Sequence, residues 1–383
     1  MNGMVNQVRS LPAQLREIFD PLDETVRTAL NHELCLSVKR LFVTGCGDSH
    51  HASLGSELAF EALTGIPTEP MTAQQFARYA AGFIPQTGPK TNLVIGISVS
   101  GEVARTVEAL TMANEAGATT LALTATPGSR VAATAQHTLL VPTPPFQDPP
   151  GQHIPGVRSY FANQVALLLM AVRLGEVRGA LSSADAGAVR KQILGLTDAL
   201  EQTIAACDDV ALKLAQDWKD AAEFVFVGGG PNFATALFSA AKVLEASGDP
   251  ALGQETEEWC HLQYFARAVD TPTFIITAAD RDYSRALEAA VAAKTIGRRL
   301  AVVAPKDAAE LAALADGLLP IARVAEMFSP LIAAVPGELF AAYRADVIGE
   351  PFFRNFTGGR STEGGGGISR IRTSEIWTSW KQP

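Results

Sequence analysis

Two stretches of the chain follow one plan. RLFVTGCGDSHHASLGSELAFEALTG, from Arg40, and EFVFVGGGPNFATALFSAAKVLEASG, from Glu223, each pass from a short β-rich run through a glycine turn into a helical pattern. Each opens a longer alternation. The first continues with NLVIGISVSG, the helix EVARTVEALTMANEAG with Gly117 as its stop, TTLALTAT and HTLLVPTP. The second continues with TFIITAADR, the helix YSRALEAAVAAKTIG, RRLAVVAPK and a weaker strand, DGLLPIA. Strand, helix, strand at this spacing requires right-handed βαβ crossovers, and hence a parallel sheet covered on both faces. The predicted class is α/β, with two copies of one doubly wound unit over residues 36–180 and 190–345.

The rest of the chain is arranged around these copies. Residues 1–35 read as an N-terminal helical segment, with Leu15, Ile18 and Phe19 at helical spacing. PFQDPPGQHIPG, at 145–156, is a proline-rich loop, and helices fill 157–220. Residues 346–383 read as a tail. Its stretch GGRSTEGGGGISRIRTSEIWTSWKQP has six glycines and no helical period, which suits a flexible or draped segment.

A chain of 383 residues exceeds one ordinary core and suits two domains of roughly 150 to 170 residues. A net charge of −9 argues against nucleic acid as a partner, because phosphate backbones call for basic patches. Cys35, Cys46, Cys207 and Cys260 lie far apart with no CxxC pair, as in a reducing cytoplasm. The start, MNGMVNQVRSLPAQLREIF, has no apolar signal region, and no stretch is long and apolar enough to span a bilayer. A cytoplasmic protein with no membrane partner is expected.

The strand NLVIGI runs into Ser98-Val99-Ser100-Gly101-Glu102 just before a helix. Open parallel sheets bind ligands beyond the carboxyl ends of their strands, where helix N-termini present N–H groups that suit an anion. Two readings stand side by side: Ser98 and Ser100 cradle a phosphate-like group with Gly101 allowing close approach, or they cap the helix. Ser49 follows Gly45 and Gly47 at the next helix start. Gly45-x-Gly47-x-x-His50 lacks the third glycine of a dinucleotide fingerprint, and no GxxxxGK[ST] occurs. No cofactor is expected.

Taken together, GCGDSHHA, ISVSGEVART and GVRSYFANQVALLLM resemble the sugar isomerase (SIS) domain family. More closely, they resemble the isomerase half of glucosamine–fructose-6-phosphate aminotransferase, with its CGTS turn, SQSGET loop and GVAST segment. The resemblance continues through ALFSAAKVLEAS and EEWCHL and covers about residues 40–345. It implies two tandem flavodoxin-like αβα SIS domains and a sugar-phosphate site at strand ends. By position, Gly47, Ser49, Ser98, Ser100, Gly101, Val103 and Ser159 then fall at that site. Three of its positions depart from the family: Val103 and Asp48 replace threonines, and Val99 replaces a glutamine. Asp48 beside an anion is unfavourable unless it faces hydroxyls or a cation. Arg158, where the family has alanine, either offsets that charge or is a surface arginine. A sulfonate in place of phosphate is also compatible with the loss of a hydroxyl at Val103.

Lys242 and Glu245 are three apart on a predicted helix and so share a face. Glu255, Glu258 and His261 follow. Charges so placed ordinarily form a solvated face. The resemblance instead implies that Glu245 is a proton-shuttling carboxylate, Lys242 its partner, and His261, three after Glu258, a ring-opening histidine that serves a neighbouring subunit. A homodimer with shared sites follows. A metal site from Glu255, Glu258 and His261 is the rival reading, and a single histidine is a thin ligand set; no metal is expected. The expected activity is an isomerase of sugar phosphates, or a deaminase or deglycase of amino-sugar phosphates, through an enediol or enediolamine. The alternatives are a non-catalytic sugar-phosphate regulator and an isomerase of a 6-sulfonated sugar. A glutaminase domain is not expected. The family's C-terminal lysine has no counterpart near PFFRNFTGGRS, which holds Arg354 and Arg360, and arginine forms no Schiff base.

Overall fold

The computed structural model describes residues 2–85, 87–358, 360 and 367–380. In chain order, α1 (Gly3–Ala29) and α2 (His32–Ser37) precede β1 (Arg40–Gly45), α3 (Asp48–Thr64), β2 (Thr68–Thr72), α4 (Ala73–Gln75) and β3 (Asn92–Ile97). Then come α5 (Ala104–Glu115), β4 (Thr119–Thr124), α6 (Arg130–Thr134), β5 (His137–Leu140), α7 (Arg158–Arg178) and α8 (Ser183–Asp217). The second alternation is β6 (Phe224–Gly228), α9 (Pro231–Ala246), β7 (Ala251–Glu255), α10 (Thr256–His261), β8 (Thr273–Ile276), α11 (Tyr283–Ile296) and β9 (Leu300–Pro305). It ends with α12 (Ala309–Leu314), β10 (Gly317–Ile321) and α13 (Ser329–Ile348), and α14 (Gly367–Thr373) lies in the tail.

The strands form two parallel five-stranded sheets, ordered β2-β1-β3-β4-β5 and β10-β9-β8-β6-β7. From the appropriate edge both sheets run second, first, third, fourth, fifth, the flavodoxin-like order. The expected tandem doubly wound α/β architecture is therefore what the chain adopts. The chain divides into two compact units. One holds the first sheet, with the described residues of 15–144, 159–194 and 356–383. The other holds the second sheet, with those of 1–14, 145–158 and 195–355.

Strands β3, β4, β6, β8 and β9 bury every residue, as strands covered on both faces must. The edge strands β2 (TEPMT) and β7 (ALGQE) escape the sequence reading. An edge strand pairs on one side only, so proline and glycine are tolerated there and no apolar run marks it. Helix α13 escapes as well. It is apolar nearly all round, contains Pro336, and is buried along most of its length, so it shows no amphipathic period. It packs against α9 so tightly that a Cβ on Gly337 would overlap Ser239. The tail does contain a helical turn, α14, and beyond it Ile376, Trp377 and Trp380 pack on the core of the first unit. The four cysteines are free thiols. Burial pushes Cys35 up to about 11 and Cys207 to about 12. Among the described residues no helix is long and apolar enough to cross a membrane.

The internal repeat extends to single dihedral angles. Gly47, ahead of α3, has φ 55° and ψ −127°; Gly230, ahead of α9, has φ 53° and ψ −132°. Two residues before each, a glycine lets the helix start close against the strand. A Cβ on Gly45 would lie 2.5 Å from the Cβ of Ser49, and one on Gly228 would overlap the Asn232 carbonyl. Gly45→Ala and Gly228→Ala are each expected to cost about 1–3 kcal/mol, as overpacking does. The check is the midpoint of chemical denaturation of the variants against the native chain; unchanged midpoints would show that these turns relax freely.

Candidate functional site

The loop between β3 and α5 is fastened from one side. The Ser98 carbonyl accepts from Gly101 N–H at 3.0 Å. The Val99 carbonyl accepts from Ala125 N–H at 3.1 Å and from the hydroxyls of Thr124 and Thr126, each at 3.2 Å. The Gly101 carbonyl accepts from Val131 N–H at 2.9 Å. Gly101 has φ +68°, and a Cβ there would overlap the Ser129 hydroxyl. The Val99 carbonyl is engaged by residues 124–126 and the Ser98 carbonyl by Gly101, so the N–H groups of Ser100 and Val99, in the same peptide units, turn away from those partners. Among the described residues, the N–H groups of Val99, Ser100 and Val103 donate to no backbone or side-chain group. Successive outward N–H groups of this kind form an anion-binding nest.

The serines do not cap the helix. Helix α5 begins at Ala104, two residues later than the sequence suggests, with Val103 as its N-cap and no side-chain cap. The Ser100 hydroxyl accepts from Glu102 N–H at 3.3 Å, inside the loop. The Ser98 hydroxyl is 1% exposed and has no partner among the described residues; the Ser129 hydroxyl across the loop is likewise buried and without one. Glu102 stands ahead of the helix and accepts from Arg130 N–H at 3.2 Å. Ser129 escapes the sequence reading, although the PGS ahead of a helical stretch is a capping signal.

The neighbouring turn, after β1, carries Gly47, Asp48 and Ser49. It is partly shut from water: burial pushes the His50 imidazole down and the Cys46 thiol up. Asp48 lies 3.8 Å from His51 Nδ1. Ser159, second in α7, is half-buried in the same unit. Arg158 is buried, which removes its reading as a surface arginine. In the other unit its guanidinium donates to the Ser10 hydroxyl at 2.7 Å and lies 4.6 Å from the Phe146 ring centre. Beside the nest, Arg105 pairs with buried Glu108 and donates to the Ser374 hydroxyl (3.2 Å) and the Glu375 carbonyl. Arg130 donates to the Arg372 carbonyl at 2.8 Å, so two arginines near the nest hold the tail.

The corresponding loop of the second sheet has the opposite electrostatics. Thr277, in the register position of Ser98, donates to the Asp282 carboxylate at 2.7 Å. Asp280 and Glu326 lie close by. Burial, reinforced by mutual repulsion, pushes Asp282 and Glu326 up. A strand end lined by carboxylates repels an anion.

What the second unit offers instead is a buried ion pair. Lys242 is 0% exposed, and its ammonium donates to Glu245 one helical turn on, with Gly156 O at 3.5 Å and the Phe238 ring centre at 4.9 Å. The Glu245 side chain keeps 31% exposure, so the pair is open to water on the glutamate's side. The predicted pair therefore meets, and it is not the solvated face that charges on a helix usually make. The other predicted residues lie on α10. His261 is 70% exposed and contacts Glu257 at 3.0 Å; Glu257 also pairs with Arg285 at 2.6 Å. Glu258 is exposed. The Glu255 carboxylate accepts from the N–H groups of Glu257 (2.6 Å) and Glu258 (3.2 Å), so it caps α10. Two cavities in this unit, about 370 Å³ beside His153, Asp346 and Glu350 and about 600 Å³ beside Lys306 and Arg323, take in none of the predicted residues.

Residues 36–173 of the chain match the family described as the SIS domain. Its relatives include glutamine–fructose-6-phosphate aminotransferase (isomerizing) from Gloeobacter violaceus, 30% identical over 349 residues, which cover 89% of this chain and 55% of the relative. The chain thus spans about half the length of the curated relatives it matches. Among solved structures, the C-terminal domain of glucosamine-fructose-6-phosphate aminotransferase from Francisella tularensis superposes with a TM-score of 0.76 at 16% identity, covering 91% of this chain and 96% of that one. Tagatose-6-phosphate ketose/aldose isomerase from Escherichia coli superposes with a TM-score of 0.69 at 15% identity, covering 92% and 95%. At these identities the structures establish the fold.

Removing an unpartnered buried hydroxyl leaves stability intact, whereas a lost hydrogen bond to a charged ligand costs about 1.5–3 kcal/mol. Ser98→Ala is therefore expected to melt at or slightly above the native temperature, while its affinity for inorganic phosphate falls by that amount in calorimetric titration. A lowered melting temperature with unchanged affinity would make Ser98 structural.

Proposed function

We propose that this chain is an enzyme of phosphorylated sugars that shuttles a proton between C1 and C2, as an aldose–ketose or amino-sugar-phosphate isomerase. The observation that carries the reading is the nest of unengaged N–H groups at Val99, Ser100 and Val103, at the uncapped start of α5. A phosphate there meets backbone donors, the Ser98 and Ser100 hydroxyls and the positive end of the helix dipole. Gly47, Ser49, Gly101 and Ser159 complete the proposed sugar and phosphate contacts.

Glu245 is the proposed base. In the isomerisation it takes the proton from the carbon next to the carbonyl, leaving an enediolate. It then returns the proton to the former carbonyl carbon, while a hydroxyl proton passes between the two oxygens. Lys242 balances its charge and aims it from the preceding turn. His261 is proposed to open the sugar ring in a partner's site, within a homodimer; its 70% exposure leaves it accessible to a second chain. Glu258, exposed on the same helix, is proposed to bind at that shared site. With an amino group on C1 or C2, the same proton transfer supports deamination or deglycation. The relative from Gloeobacter violaceus, an isomerizing aminotransferase, supports this class of chemistry. The free thiols suit a cytoplasmic setting.

A binding-only regulator is the second reading, favoured by the two described cavities of that unit, neither of which is lined by Glu245. The two separate in heavy water. The native chain is expected to exchange deuterium into C1 or C2 of a bound hexose or hexosamine 6-phosphate. Glu245→Gln should slow this by about 10²–10⁴, the contribution of a positioned base. Binding without any exchange by the native chain would favour the regulator.

A further inference from the structure

The proposed base sits in the last turn of α9, and that turn is held by a residue from far along the chain. Arg354 donates through Nη1 to the Leu244 carbonyl at 3.1 Å, and through Nη2 to the carbonyls of Glu245 and of Ala246, the latter at 3.3 Å. These are carbonyls that a helix end leaves without partners of its own. Gly248, at φ +78°, leaves room for the guanidinium; a Cβ there would overlap Nη1. Arg354 reaches the turn through an unfavourable backbone. Phe353, Arg354 and Asn355 have φ 52°, 53° and 49°, a left-handed run without glycine. Such strain persists where the surroundings over-determine it, and functional sites are where it gathers.

We propose that Arg354 is a positioning residue for Glu245. The carboxylate is tethered at its tip by Lys242, and its own backbone carbonyl is gripped by Arg354. The fork spans three successive carbonyls, so it fixes both the height and the rotation of the turn. A lysine at this position keeps the charge and loses the fork. This inference rests on the proposed role of Glu245 as base.

The test uses the full chain with fructose 6-phosphate and glucosamine 6-phosphate as probes, measuring deuterium exchange at C1 and C2. Arg354→Lys, Arg354→Gln and Gly248→Ala are expected to lower kcat by about 10- to 100-fold, the scale of a base misplaced by roughly an ångström, with KM nearly unchanged. In a Glu245→Gln background, Arg354→Lys is expected to slow the residual exchange no further. A merely structural cap would lower the melting temperature and leave kcat of the folded protein at the native value. Native kcat in the three variants overturns the proposal, as does equal slowing by Arg354→Lys in both backgrounds. If no variant folds, Arg354 is a structural residue and the proposal falls. Absence of exchange by the native chain removes the base itself and the proposal with it. Exchange that is lost in Glu245→Gln and kept in the Arg354 variants removes only the proposal.

Discussion

The carbonyl oxygens of Val99 and Gly101 are held by residues 124–131, from the end of the next strand to the helix after it, and the proposed anion chemistry depends on this. Five donors from residues 101–131 fasten the carbonyls of Ser98, Val99 and Gly101. Each peptide unit carries its N–H opposite its C=O, so fixing the carbonyls of Ser98 and Val99 turns the N–H groups of Val99 and Ser100 away from those partners. Gly101, with its positive φ and a serine hydroxyl where a side chain would begin, allows the loop to close this tightly. The parallel sheet makes the arrangement possible, because adjacent strands end at one edge and their loops can bond to each other.

The second sheet shows that the fold alone does not make such a loop. Gly230 repeats the dihedral angles of Gly47, and Thr277 repeats the register position of Ser98. Yet the loop there carries Asp280 and Asp282, and burial acts on carboxylates that repel one another. Two copies of one backbone thus differ in what they present: unengaged N–H groups in the first, buried carboxylates in the second. The proposed chemistry of the second copy lies at the far end of α9, where a fully buried lysine meets a carboxylate. A buried ammonium is costly to desolvate, so its pairing with Glu245 and its contact with the Phe238 ring matter to the stability of that turn. The exposed network of Glu257, His261 and Arg285 is screened by solvent and contributes little by comparison.

Much of this was legible in the sequence because it is local. The strands ending in Gly45, Ile97 and Gly228 are short β-rich runs that stop at glycine or serine, and the three-residue spacing of Lys242 and Glu245 places them on one helix face. What was not legible is non-local or unpatterned. Strands β2 and β7 lack apolar alternation because they sit at sheet edges. Helix α13 lacks a polar face because it is buried. Ser129, Thr124 and Thr126 act on a loop more than twenty residues away, and Arg354 acts on a helix more than a hundred residues before it. For Arg158 the sequence leaves two readings, a counter-charge to Asp48 or a surface arginine, because its partners Ser10 and Phe146 are brought to it only by folding. The tail's helical turn lies among glycines that give it no period.

The central claim is that the loop between β3 and α5 receives the anion. Amide hydrogen exchange of the native chain, followed by mass spectrometry with and without a saturating hexose 6-phosphate, tests it directly. The account predicts that the peptide spanning residues 98–105 gains protection on binding, because the amides of Val99, Ser100 and Val103 acquire acceptors they otherwise lack. Protection gained only around the glycine turn before α9 or the loop after β8, with residues 98–105 unchanged, would contradict it.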